Sequence, residues 1–158
     1  MIHRPSAMLD ISARDVFLTP EIDALARRPF ADTEEGERHA ELAAYLDAFA
    51  ELNVISVSED PDRKPWDVAL ARVKPVEADF WSMRITEPEG TAGMRLLGAF
   101  CWLDGFVALA CEYREHIPRG SFHEEVEEAR RKWTDYFGDK APHTGASVDE
   151  YLTNYYRA

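Results

Sequence analysis

The chain has 158 residues, 46% of them hydrophobic, and a formal net charge of −12 from 18 Lys+Arg against 30 Asp+Glu. That length suits one domain with a real core, and the acidity argues against a surface built for nucleic acid, which draws most of its affinity from cations meeting phosphates. No apolar run is long enough for a membrane helix and no signal-peptide pattern is present, so a cytoplasmic protein is expected.

The acid is uneven: residues 1–70 hold 7 Lys+Arg against 15 Asp+Glu, and residues 71–158 hold 11 against 15. Residues 14–18 offer a first strand through Val16 and Phe17. Thr19-Pro20-Glu21 starts a helix, with Thr as N-cap and Pro at the first position, running to about Arg28 and ending before Pro29. Asp32 and Glu35 form a capping box for a second helix, whose stripe of Leu42, Tyr45, Leu46, Phe49 and Leu52 packs across a sheet. Residues 53–58 alternate as a strand, residues 59–65 form a loop, and residues 66–76 are mixed.

Phe80 to Thr86 alternates, with Trp81, Met83 and Ile85 on one face. Met94 to Leu103 and Phe106 to Tyr113 are apolar runs flanking Asp104-Gly105, a hairpin signal that places positive φ at the turn. Pairing Leu103 with Phe106 sets Arg95 opposite Arg114. Closing Thr86 on Gly93 sets Arg84 opposite Arg95. Like charges directly opposed destabilise a ladder, so the row Arg84, Arg95, Arg114 reads either as an anion site or as part of a surface ion pair with Glu112. Cys101 and Cys111 are not directly opposed in this register, which argues against a disulfide and fits a reducing compartment. No metal-binding spacing is present.

Ser121 and Glu124 form a capping box for a helix to Phe137, with Phe122, Val126, Ala129, Trp133 and Phe137 on one face. The acids Glu124, Glu125, Glu127 and Glu128 in its first turns favour the positive end of the dipole. Residues 138–145 form a linker. Ser147 and Glu150 open a short helix over 148–156, whose Tyr151, Tyr155 and Tyr156 dock onto the core.

The runs Phe80-Trp81-Ser82-Met83-Arg84-Ile85, Met94 to Phe100 and Leu103 to Ala110, followed by Glu124 to Arg130, resemble the RelE/HigB superfamily, in particular its phage-derived RelE-like branch. The resemblance covers about the last half of the chain. It implies an α+β fold: a small antiparallel meander sheet packed against N-terminal helices, with a C-terminal helix. One RelE-like domain would span 1–158, with a core of about 10–137 and a linker and helical tail over 138–158. A second helix would fall near residues 66–76.

The resemblance also implies a toxin of a toxin–antitoxin pair that cleaves mRNA, commonly at the ribosome, without metal or cofactor, and is neutralised by a cognate antitoxin. In that reading Arg84, Arg95, Arg114 and Arg119 stabilise charge on the phosphate, and Tyr113 stacks on a base or donates a proton. His116, or Glu115, activates the 2′-hydroxyl, against the plainer reading of His116 as a loop histidine. Arg72 and Lys74 flank the row as substrate-binding cations or are solvated loop charges. Glu115 stands where the family has a lysine. That departure and the charge of −12 support the alternative, an acidic protein-interaction module that contacts a basic protein or mimics nucleic acid.

Overall fold

The computed structural model describes residues 2–3, 14–63, 65, 68–85, 93–118 and 122–158. Thr86, Arg119 and Ser121, named above, lie outside them. The described elements are strands β1 (Ile2–His3) and β2 (Asp15–Leu18), helices α1 (Pro20–Leu25) and α2 (Glu34–Ala50), strands β3 (Ile55–Ser58), β4 (Leu70–Arg72), β5 (Phe80–Ile85), β6 (Met94–Trp102) and β7 (Gly105–Tyr113), helix α3 (His123–Phe137) and strand β8 (Tyr155–Arg157). Short 3₁₀ turns cover Val76–Ala78, Arg114–His116 and Val148–Glu150.

All eight of these strands join one sheet in the order β1-β2-β7-β6-β5-β4-β3-β8. The centre is the antiparallel meander β5–β6–β7. Its flanks are mixed: β2 runs parallel to β7, and β3 runs parallel to both β4 and β8. The helices cover both faces. Ile22 of α1 and Leu42, Leu46 and Phe49 of α2 bury against Trp81, Met83, Leu96 and Phe106. Val126, Ala129 and Trp133 of α3 bury against Phe80, Leu97, Ala99 and Leu109 on the opposite face. The two sets alternate along each strand, as the period of two requires. Because both faces are covered, β6 and β7 read as nearly continuous apolar runs.

The expected small antiparallel meander on N-terminal helices, with a C-terminal helix, is therefore corrected. The meander is only the middle of a larger mixed sheet, and helices lie on both sides of it. Residues 66–76 give no helix among the described residues; they contain β4 and lead into the 3₁₀ turn. The tail is not a helix beyond Glu150. Tyr151 and Leu152 are buried, the chain reverses at Asn154 with φ 52°, and β8 follows. The Tyr151/Tyr155 spacing that looks helical comes from a buried turn followed by a strand.

Local signals fare unevenly. Thr19 caps α1 as expected, its hydroxyl accepting from Ile22 N at 3.5 Å. The cap of α2 is Thr33 instead of Asp32, accepting from Gly36 N at 3.1 Å. Leu52 falls beyond α2 at φ 63°, turned out of the stripe.

The β5–β6 register is the expected one, with Arg84 opposite Arg95. The β6–β7 register is not. The turn centres on Leu103-Asp104, with Asp104 at φ 61°, and irregularities fall at Leu97/Gly98 and Phe100/Trp102. These slips place Glu112, not Arg114, across from Arg95. The favourable cross-strand pair replaces the repulsive one.

Candidate binding site

Among the described residues the predicted cations do not converge. Arg84 and Arg95 are neighbours, and Arg95 Nη1 donates to Met94 O at 3.0 Å. Arg114 has left the strand for the 3₁₀ turn, where its Nη1 donates to Ile117 O at 2.8 Å. Arg72 is a structural residue: its guanidinium pairs with buried Asp79 beneath Tyr151. Lys74 Nζ lies 2.7 Å from Asp62 in an exposed pair. The three-strand arginine row is thus corrected to Arg84, Arg95 and Glu112.

Tyr113 and His116 do come together, and α2 is what they meet. A shallow depression of about 470 Å³ is lined by Thr33, Glu34, Glu35, Arg38, Tyr113, Glu115 and His116. Thr33 fixes where α2 starts, and helical spacing then sets Glu34 beside Arg38. Arg38 Nη2 donates to Glu34 at 2.6 Å and Nη1 to Glu115 at 2.9 Å. Its guanidinium lies 4.9 Å over the Tyr113 ring. The hydrogen bond that Arg38 donates to Glu115 is the main cause that holds the Arg38 pKa above its ordinary value.

Tyr113 Oη donates to Glu35 at 3.5 Å and lies 3.3 Å from His39 Nε2. Burial, then Glu35, pushes its pKa upward. His116 Nδ1 lies 2.8 Å from Glu112 Oε1, and its ring meets Tyr113 edge-on at 5.5 Å.

Three carboxylates, Glu34, Glu35 and Glu115, therefore line the depression against one guanidinium that two of them already hold. The excess is negative, so the site suits a cation better than a phosphate. His116 lies within hydrogen-bond distance of Glu112, and Tyr113 of His39. The contributions of Glu34, Glu35, Arg38 and His39 escaped the sequence reading. The i, i+4 pairs Glu34/Arg38 and Glu35/His39 were visible, but no local pattern says that α2 meets the end of β7, 77 residues on for Arg38 and Glu115.

Cys101 and Cys111 are free. Burial pushes their thiols up to about 11 and about 12, so neither is a ready nucleophile at neutral pH. Among the described residues no cluster of His, Cys, Asp and Glu could hold a metal, and no helix is long and apolar enough to cross a membrane. No family model, curated protein or solved structure matches this chain.

Proposed function

We propose that the chain is an acidic protein-interaction module that covers the basic surface of a protein partner. One observation carries this reading: Tyr113 and His116 sit with Glu34, Glu35 and Glu115, and the one arginine beside them among the described residues, Arg38, is held by two of those carboxylates. The net charge of −12 adds long-range attraction for a basic partner. We place the encounter in the cytoplasm, where free thiols such as Cys101 and Cys111 persist. The test is titration of a lysine-rich peptide into the native chain and into a Glu34→Gln/Glu35→Gln/Glu115→Gln variant. The native chain should bind, more weakly as salt rises, and the variant should lose at least about tenfold in affinity. Equal binding by the two removes the depression as the contact.

A second reading keeps the activity that the RelE/HigB resemblance implies: metal-independent cleavage of mRNA at the ribosome, restrained by a cognate antitoxin. It is favoured by the His116–Glu112 contact beside Tyr113, an arrangement suited to a general base. Among the described residues the one arginine or lysine lining the same place is Arg38, which Glu34 and Glu115 already hold. Mapping transcript ends after expression decides it: new ends from the native chain and none from His116→Ala would support cleavage.

A further inference from the structure

β8 lies at one edge of the sheet, and among the described residues no strand pairs beyond it. It runs parallel to β3, with Tyr156 abreast of Ser56, and Ala158 N donates to Val57 O at 2.9 Å. Along a parallel strand, alternate residues turn their backbone groups to the same neighbour. With residue 158 turned toward β3, Tyr156 is turned the same way, and the N–H and C=O of Tyr155 and Arg157 face outward. Such an edge is a template for another strand, and proteins commonly blunt it with charge, proline or a bulge. The only charged side chain on β8 is Arg157, which is drawn aside toward Glu59 at 3.8 Å and Asp149 at 3.6 Å.

The same edge carries exposed apolar surface. Val54 is 59% exposed and Tyr156 is 55% exposed. Both line a depression of about 270 Å³ floored by Tyr45, Phe49, Ile55 and Ala69. An unpaired edge, an apolar depression beside it, and two carboxylates, Glu59 and Asp149, that share the single cation Arg157 and so keep a negative excess together describe one kind of occupant: an extended segment that alternates apolar and basic residues.

We propose that β8 is a docking edge on which an extended segment of a basic protein partner adds as a further strand. An apolar side chain of that segment rests against Tyr156 and Val54, and its lysines or arginines meet Glu59 and Asp149. This deepens, and rests on, the reading of the chain as a module for basic partners. It assigns the main-chain contact to the sheet edge and leaves the α2 depression as a separate patch of charge.

The probe is the peptide Lys-Val-Lys-Val-Lys-Val-Lys, followed by fluorescence anisotropy and by amide hydrogen exchange read residue by residue. Binding should slow exchange at Tyr155 and Arg157 by at least about tenfold. Arg157→Pro removes an outward N–H and should weaken binding at least about tenfold, whereas Arg157→Ala keeps that N–H and should bind no less tightly than the native chain. Tyr156→Ala should weaken binding in step with lost apolar contact. Should Arg157→Pro fail to fold, the same probe N-methylated at alternate residues supplies the test from the peptide side, and it should not bind the native chain.

Native affinity from Arg157→Pro or from the N-methylated probe overturns the proposal. Peptide binding with protection confined to the surroundings of Glu34, Glu35 and Glu115 also overturns it, while leaving the interaction reading in place. No binding at either place overturns both.

Discussion

Tyr151 donates its hydroxyl to Asp79 at 2.5 Å, and the same carboxylate oxygen takes the guanidinium of Arg72. The tail of the chain is thereby fastened to the turn that enters β5. Tyr151 is 1% exposed, and its ring packs edge-on to Trp81 at 5.1 Å. Tyr151→Phe keeps the ring and removes the donor, so it should cost about 1.5–3 kcal/mol, the range for a hydrogen bond to a charged group. Asp79→Ala should cost more, about 3–5 kcal/mol, because it leaves Arg72 half-buried without its counter-charge. Urea denaturation of the two variants checks the order.

Alkaline pH should unfold this protein gradually from the thiol range upward. Burial, then the bond to Asp79, pushes Tyr151 from 10.0 up to about 12, and burial pushes Cys101 and Cys111 from 9.0 to about 11 and about 12. Each group is raised in the folded state, so the unfolded chain loses its proton first. Their contribution is complete below pH 9.0 and falls as pH rises toward 12. Thermal melts across this window should show a flat then declining Tm. A thiol reagent at pH 8 should label Cys111 slowly in the native chain and readily in urea.

Arg14 should be among the most sensitive single positions. Its side chain is buried, and its forks donate to Phe49 O at 3.1 Å, Asn53 O at 3.0 Å, Thr153 O at 2.6 Å and Asn154 O at 3.0 Å. It adds a donor to Phe49 O, which also takes Leu52 N, and one to Asn53 O just past α2, and it ties both to the tail. Arg14→Met matches the bulk and removes the side-chain donor from the carbonyls of Asn53, Thr153 and Asn154 as well as one of the two on Phe49 O, and about 3–5 kcal/mol should be lost. Arg14→Lys should recover little, since an ammonium cannot fork to two pairs of acceptors. Chemical denaturation of both variants is the check.

Gly98→Ala should destabilise by about 1–3 kcal/mol or more, as overpacking against unyielding backbone does. A Cβ at Gly98 would sit 2.0 Å from Val107 O and 2.6 Å from the Phe106 ring. The site adjoins the slip between Leu97 and Gly98, so relief by local adjustment would shift the β6–β7 register. A shift of that kind should show as altered exchange at Arg95 and Glu112.

What could be read in advance was what neighbours in sequence dictate. The Thr19 cap, the α2 stripe, the α3 face and the Arg84–Arg95 register follow from spacing alone. Asp104-Gly105 marks the hairpin, but the turn itself is Leu103-Asp104, and Asp104 supplies the positive φ. That slip and the bulges moved Arg114 off the sheet and brought Glu112 opposite Arg95. The parallel pairings β2–β7 and β3–β8 leave no local trace, because their registers are set by packing between distant segments. The depression at Tyr113 was invisible for the same reason: half of it belongs to α2.

The strand order has a consequence for how the chain is assembled during synthesis. The hairpins of β5, β6 and β7 can zip as soon as residue 113 is available, since each pairs with its sequence neighbour. β2 and β3 were made earlier, yet β2 must wait for β7 as its parallel partner, and β3 keeps one open flank until residues 155–157 arrive. On the ribosome the amino-terminal third therefore waits, exposed, for strands not yet translated, and a holding chaperone would find its substrate there.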